Sequence, residues 1–353
     1  MPGHLAEDPD VRVVPLPIAL PRPRIGEVRA GFSDGCYRRR PSLAVAWLLV
    51  DLALYALPLA GALLARSPVA RLAWGGLAGV GVAVLFVWAH DAAHGALFRS
   101  GRWAEVLGTA AMLPSLQLYR PWVYGHNRVH HGFTALSPID WIWRPLTPDE
   151  YRSRSRWGRA AYRAERHWAG CGLHYLVQVW WKGMVRFRPD DRRRRSFRAA
   201  KAGTVAFAVA LSAVAWRATG SWTGVAAAVV VPFLVFTWII ALVVYLHHTH
   251  PDVPFFADRD EWSPALGSVR CSTVIRSNPV VETLSHNIFI HAPHHVDSRI
   301  PFYRLPLAWE DLRRRYGADV VQYRLRAREV RRIFRTCQLY EFDTHTWRRF
   351  AEV

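Results

Sequence analysis

The chain has 353 residues, is 51% hydrophobic and carries a formal net charge of +19. The basic charge would suit nucleic acid, but the sequence contains no recognisable nucleic-acid-binding module, so we expect no nucleic-acid partner. The four cysteines are scattered without a CxxC pair, which argues against a zinc knuckle or a disulfide framework and suits a reducing cytosolic face.

The N-terminal region, residues 1–40, is rich in proline and predicts a tail that lies on the surface. It contains no apolar core of the signal-peptide type. Residues 41–310 form the predicted membrane-embedded domain. A basic segment, residues 311–353, follows it and is predicted to lie in the cytoplasm.

Four apolar runs predict membrane spans, since a helix needs about 20 residues to cross the bilayer core. The third run is short, but it is followed by the fourth after one tight polar turn. Asp51, within the first run, must be buried against protein or water. The predicted spans are 42–65, 72–90, 202–216 and 224–246.

The arginine-rich stretches before spans one and three predict their orientation, because Lys and Arg concentrate on the cytoplasmic side. The turns after those spans are short. We therefore expect an all-α integral membrane protein with four transmembrane helices in two hairpins, both termini inside, and a cytoplasmic helical cap that carries a histidine-rich site for two metal ions.

Histidines occur in four groups, which lie at or beyond the cytoplasmic ends of spans two and four. On a helix, residues four apart share one face, about 5–6 Å apart at Cβ. The spacing therefore predicts that His90 pairs with His94, His126 with His130, and His291 with His295. The groups are "HDAAH", "HNRVHH", "YLHHTH" and "HNIFIHAPHH".

So many imidazoles indicate two metal ions. Structural zinc is usually bound by four ligands that include thiolates, and haem uses one or two axial ligands. The second histidine of a doublet projects about 100° around the helix, toward a neighbouring ion. Imidazole suits iron, copper, zinc and nickel, so the ligand type alone does not choose the metal.

In this order and on this topology, the boxes HxxxH, HxxxHH and HxxHH resemble those of the membrane fatty acid desaturase superfamily. The chain is more narrowly similar to bacterial acyl desaturases of the delta-12/omega-3 type. The resemblance covers residues 42–310 and rests on four segments: "WVYGHNRVHHGFTALSPIDWIWRPLTPDEY", "LVQVWWKGM", "YLHHTHP" and "HNIFIHAPHHVDSRIPFYRLP".

The resemblance implies a non-haem centre of two iron ions, O₂ as co-substrate, and a fatty acyl substrate in a bacterial inner membrane. It also implies two electrons from an external donor such as ferredoxin or a reductase, since no electron-carrier segment is visible in this sequence. The expected iron ligands are His90, His94, His126, His130, His131, His248, His291, His294 and His295.

Within "YLHHTHP", we favour His248 as the ligand because Pro251 disfavours helical geometry at His250. Family members often carry Gln at the position of His247. Several other residues are expected to accept a ring N–H or to act as additional ligands: His247, His250, His286, Asn287, Asp91 and Asp297, with Asp140 as a weaker candidate.

The predicted reaction is the introduction of a cis double bond into an acyl chain, which would lie in an apolar tunnel between spans two and four. Trp141–Pro145 would cap this tunnel or anchor the protein at the membrane interface. A hydroxylase or an acetylenase on the same scaffold is the alternative. A metal transporter is less favoured, because its ligands would lie near the middle of the membrane.

Overall fold

The computed structural model describes residues 23–353. Most of the predicted N-terminal tail and the isolated His4 lie outside these residues. The described chain is mostly helical and contains four helices that are long and apolar enough to cross a membrane. These candidate spans are Pro41–Leu64 (helix α2), Pro68–Ala93 (α3), Asp191–Thr219 (α9) and Trp222–His248.

The first helix is displaced from its predicted run by one residue, whereas the other three extend beyond theirs at both ends. The third shows why. Hydropathy placed its start at residue 202, whereas the helix begins at Asp191, where the Asp190 side chain accepts a hydrogen bond from the Arg193 amide. The four arginines that follow Asp191 belong to the helix, and three of them are exposed. The helix ends at Gly220, whose φ of 58° is the left-handed conformation common at helix C-termini.

The fourth candidate span has three continuous parts. It starts as Trp222–Val225 (α10), widens into a π-helical turn at Ala226–Val230, and continues as Val231–His248 (α11). His248 is its last helical residue, and Thr249 adopts an extended conformation with φ of −131°. This end point agrees with the expected effect of Pro251.

Helix α3 is the centre of the membrane region and packs against both α2 and α11. Glycines allow these backbones to approach closely. A Cβ atom at Gly81 would lie 2.3 Å from the carbonyl oxygen of Leu54, and one at Gly75 would lie 2.4 Å from that of Ala227. Helix α3, which carries His90, is therefore tightly packed against both of its neighbouring spans.

Shorter helices form the remainder of the described chain. They are Ile25–Arg29 (α1), Gly101–Met112 (α4), Tyr119–Val123 (α5), Pro148–Arg152 (α6), Arg156–Glu165 (α7), Gly172–His174 (α8), Pro264–Arg270 (α12), Pro279–Leu284 (α13), His291–Val296 (α14), Leu305–Tyr316 (α15) and Ala327–Thr336 (α16). Two further π-helices, Tyr124–His130 and Tyr175–Val185, continue α5 and α8.

Two small sheets complete the fold. Thr273–Arg276 (β1) pairs in parallel with Val321–Arg324 (β2), and Leu339–Glu341 (β3) pairs antiparallel with Thr346–Arg348 (β4). The β1–β2 pair joins the C-terminal segment to the chain before the last histidine box. The domain boundary at residue 310 stays a prediction.

Candidate metal centre

The structure brings all nine predicted ligands together in two adjacent groups. In each group, one ring nitrogen from each histidine lies within 4.8 Å of the corresponding atoms of the others. The first group contains His90, His94, His126, His131 and His294, and the second contains His130, His248, His291 and His295.

The predicted pairing of His126 with His130 is wrong. His126 belongs to the first group together with His131, whereas His130 belongs to the second. The reason is the π-helix at Tyr124–His130, where the His131 amide donates to the carbonyl of His126, five residues earlier. A wider turn aligns residues five apart, so that the two Nε2 atoms of His126 and His131 lie 3.1 Å apart.

The last box follows the predicted α-helical pattern. His291 and His295 share one group, with their Nε2 atoms 3.0 Å apart, and His294 projects into the other group. His248 also joins the second group, with its Nε2 atom 3.1 Å from that of His130. Because α11 ends beside the second group, His248 lies with His130 and not with His90 and His94.

Two carboxylates orient rings, one in each group. The Nδ1–H of His90 donates to Asp91 over 3.0 Å, and Asp91 also accepts from the Phe302 amide. The Nδ1–H of His130 donates to Asp140 over 3.1 Å, and the amide of Ala135 donates to the same carboxylate oxygen. Such partners fix the tautomer, so that the Nε2 lone pair faces the group.

Two further partners of the second group were not predicted. The Nδ1–H of His248 donates to the carbonyl of Cys271 over 2.9 Å. Thr134 donates its hydroxyl proton to the His130 carbonyl, so its oxygen accepts from Nδ1 of His295 over 3.0 Å. Thr134 lies four residues after His130, so the sequence alone could have predicted that its hydroxyl contacts the His130 carbonyl. The contact of His248 with the Cys271 carbonyl joins residues 23 positions apart, and no local sequence pattern predicts it.

These tautomers leave nitrogen atoms that need a cation. A neutral imidazole has one donor and one acceptor nitrogen. His130 and His248 both donate through Nδ1, so their facing Nε2 atoms are both acceptors and cannot bond each other across 3.1 Å. Within the described residues, the Nε2 atoms of His94 and His294 are buried without a hydrogen-bond partner. The residues present thus fit two metal ions.

Burial keeps four imidazoles of the centre neutral. Burial and the neighbouring histidines hold the pKa values of His126, His131 and His295 well below the ordinary value. The pKa of His294 falls to about 3 for the same reasons. Neutral rings keep the lone pair with which imidazole binds a metal.

Asp297 and His250 have partners outside the two groups. Asp297 accepts hydrogen bonds from Tyr37 over 3.0 Å and from two nitrogens of Arg299 over 2.9 and 2.6 Å. Although burial opposes it, the hydrogen bonds from Arg299 and Tyr37 hold the pKa of this carboxyl below its usual range. His250 lies 3.4 Å from both Asp252 and Glu329.

Of the remaining predicted residues, His247 contacts the second group directly. His247 stacks on His291 with ring centroids 3.8 Å apart. The Nε2–H of His286 donates to Asp51 over 2.7 Å, and both side chains are fully buried. Asp51 is thus buried against protein, as predicted. Asn287 donates to the Phe302 carbonyl over 3.3 Å, and its φ of 53° is left-handed.

An apolar cavity of about 220 Å³ adjoins the histidines. Helices α3 and α11 supply most of its aliphatic lining, as predicted for the acyl tunnel, and Trp141 also lines it. Trp143, by contrast, is fully buried and stacks on His174. The histidines that line the cavity are His90, His126, His130, His247, His248 and His291. The cavity therefore contacts both groups.

The chain matches known proteins over most of its length. Residues 67–327 match the family model described as fatty acid desaturase. An omega-6 fatty acid desaturase from Brassica napus chloroplasts is 29% identical over 84% of this chain and 66% of its own length. The chain spans 61–66% of the length of the chloroplastic relatives it matches.

Cyanobacterial relatives are covered more fully. An sn-1 oleoyl-lipid 12-desaturase from a Picosynechococcus species is 28% identical over 78% of both chains. A protein of the same name from a Synechocystis species is 26% identical over 90% of this chain and 89% of its own length. The chain belongs to the fatty acid desaturase family.

Proposed function

We propose that this member of the fatty acid desaturase family introduces a cis double bond into an acyl chain, using O₂ and two external electrons. The observation that carries the proposal is that one apolar cavity contacts both histidine groups, which together contain nine inward-facing imidazoles. A redox metal centre beside a space for an alkyl chain is what oxidation of an unactivated methylene requires.

The nine clustered histidines would hold two iron ions. Iron bound there would supply the O₂-dependent removal of one hydrogen atom from each of two adjacent methylenes. The overall reaction balances as one CH₂–CH₂ unit, O₂, two electrons and two protons giving CH=CH and two waters. O₂ is reduced, and the acyl chain and the external donor are oxidised.

The protein's own residues position this chemistry. Asp91, Asp140 and Thr134 hold the rings of three histidines so that each Nε2 faces its group. Val84, Val87 and Val243 line the cavity and would hold the acyl chain against them. Geometry then selects the carbon that reacts, because reacting atoms must be held about 3–3.5 Å apart.

The substrate we propose is an acyl group linked to a membrane lipid, with oleoyl as the first candidate. The support comes from the cyanobacterial relatives, which are named sn-1 oleoyl-lipid 12-desaturases. The apolar cavity is lined by two of the candidate spans, which suits a substrate that enters from the bilayer. The electron donor would be a separate protein such as ferredoxin or a reductase.

We further propose that the four candidate spans form two hairpins in a bacterial inner membrane, with the histidines and both termini in the cytoplasm. The arginine-rich start of Asp191–Thr219 supports this orientation.

Expression in a bacterial host without its own desaturase tests the proposal. Gas chromatography–mass spectrometry with double-bond localisation should reveal a new dienoic acid when oleate is supplied, with the second double bond at carbon 12. A protein in which His130 and His294 are replaced by alanine is the control and should give none. A hydroxylated product would establish the alternative activity, and an unchanged profile with iron-loaded protein would refute both.

A further inference from the structure

A second cavity, of about 480 Å³, lies apart from the histidine groups and is lined by Gly26, Arg29, Ala30, Tyr37, Arg39 and Arg299. Three of these six residues are arginines, and none is acidic. We propose that this cavity, called here the arginine pocket, binds a phosphate group. This inference goes beyond the proposed reaction and does not depend on it.

The three guanidinium groups are held in place mostly by backbone carbonyls. Arg39 donates to the carbonyls of Gly95 and Ala96, both over 3.1 Å. Arg29 donates through Nε to the carbonyl of Val296 over 2.7 Å. A carbonyl fixes the position of a guanidinium without neutralising its charge. The pocket is therefore built before an anion arrives, which lowers the entropic cost of binding.

The charge of the pocket is only partly balanced. Arg299 forms a two-point ion pair with Asp297. Arg29 lies 4.0 Å from the same carboxylate, and its side chain is 44% exposed. Three positive groups and this one carboxylate leave an excess of two positive charges. Because like charges repel at short range, an anion is the ligand that this arrangement favours.

Donor groups remain available for such an anion. Between residues 23 and 353, no hydrogen bond is formed by either Nη atom of Arg29 or by Nη1 of Arg39. Guanidinium groups match the oxygen atoms of a phosphate with paired N–H donors. A phosphate has more acceptor oxygens than a carboxylate, so it can engage all three arginines.

The position of the pocket suggests where the phosphate comes from. Arg39 lies two residues before Pro41, the first residue of a candidate span. It is thus expected near the level of lipid headgroups, where basic pockets bind anionic lipids. The same chemistry would bind a soluble phosphate. A bound phosphate would also connect the ends of two histidine segments, since Gly95 follows His94 and Val296 follows His295.

The test measures lipid binding by the full-length protein in detergent, using native mass spectrometry. The probes are phosphatidylglycerol, a galactosyl diacylglycerol with the same acyl chains but no phosphate, and inorganic phosphate. The variants are Arg29→Gln and Arg39→Gln. Arg335→Gln, at an exposed position on the helix Ala327–Thr336, removes the same charge away from the pocket.

We expect the unaltered protein and the Arg335→Gln control to bind phosphatidylglycerol more tightly than the galactolipid. Arg29→Gln should bind phosphatidylglycerol with about tenfold lower affinity, because it loses a charged hydrogen bond to the phosphate. The protein could also bind inorganic phosphate saturably, lose this binding in Arg29→Gln and show no preference between the two lipids. That result would support the pocket as a site for a soluble phosphate.

Equal binding of phosphatidylglycerol by the unaltered protein and Arg29→Gln would overturn the proposal unless inorganic phosphate bound saturably to the unaltered protein and not to Arg29→Gln. So would a lack of preference for phosphatidylglycerol over the galactolipid together with no binding of inorganic phosphate. Arg39→Gln removes two hydrogen bonds to the fold, so circular dichroism accompanies it, and Arg29→Gln decides the question if Arg39→Gln is misfolded. The binding measurement depends on neither iron content nor catalytic activity, so it can be interpreted even if the proposed reaction is wrong.

Discussion

At the scale of single residues, the metal centre depends on partners that hold the imidazole rings. Asp140 is the clearest case, because one carboxylate oxygen accepts from His130 and from the Ala135 amide. It therefore connects a ligand to the fold of the following loop. Partners of this kind raise the basicity of the ring and set its direction.

We predict that Asp140→Asn weakens iron retention about tenfold, because the amide accepts a weaker hydrogen bond from His130 than the carboxylate does. The measurement is residual iron after dialysis against graded concentrations of a chelator. Asp149→Asn is the matched control, since that side chain is 91% exposed and lies outside both groups. Equal retention by the two variants would show that Asp140 does not support the centre.

The neutral imidazoles make a second prediction, for the metal-free protein. The folded-state pKa values of His126, His131 and His295 are well below the unfolded value of about 6.5. The unfolded chain therefore binds protons first as pH falls, and the stability present above about pH 6.5 is lost below it. The melting temperature of chelator-treated protein should decline from about pH 7 to about pH 5.

The matched variant for this measurement is His295→Gln, which has one buried imidazole fewer. Its melting temperature should depend less steeply on pH. A melting temperature of the metal-free protein that stays constant or rises over this interval would contradict the assignment of neutral rings.

At the scale of the elements, α2 and α3 are in close contact at Gly81, on the helix that carries His90. A Cβ atom at Gly81 would lie 2.3 Å from a backbone oxygen, which cannot move without moving the helix. We predict that Gly81→Ala destabilises the protein by about 1–3 kcal/mol. Gly76→Ala is the control, because a Cβ there would meet nothing within 4 Å.

Thermal unfolding in detergent, followed by circular dichroism, measures both variants. The melting temperature should fall for Gly81→Ala and stay level or rise for Gly76→Ala, since alanine favours a helix more than glycine. If both variants behaved alike, close packing at Gly81 would not be what fixes α3.

The elements also show what the sequence could and could not predict. The box around His291 is a regular α-helix, and its i, i+4 pairing was predicted correctly. The box around His126 is a π-helix, and the spacing of its histidines does not distinguish a π-helix from an α-helix. The predicted third span, 202–216, was shorter than the helix Asp191–Thr219. Hydropathy detects apolar residues, whereas the start of the helix is set by capping from Asp190.

At the scale of the whole molecule, the spans and the clustering of nine histidines were predictable because apolar runs and box motifs are local patterns. The division of the nine into two groups was not, since His248 and His130 meet across 118 positions of the chain. The contact of the Cys271 carbonyl with His248 depends in the same way on tertiary structure. The arginine pocket likewise joins residues that are far apart in sequence.

The proposed orientation in the membrane predicts a labelling pattern. Single cysteines at Ser67 and Thr219 should react with an impermeant thiol reagent added outside intact cells, and cysteines at Ser196 and Ser298 should not. The four native cysteines are buried, so their background labelling should be low. Permeabilised cells are the control and should label all four sites. Labelling of Ser298→Cys from outside would place the last histidine box on the wrong side.

The most direct test of the central claim is the metal content of purified, active protein, measured by inductively coupled plasma mass spectrometry. Two groups of imidazoles predict two iron ions per chain. His250→Ala should keep this content, because His250 belongs to neither group, whereas His248→Ala should lower it. Active protein that contains zinc alone, or full iron in His248→Ala with loss in His250→Ala, would contradict the assignment.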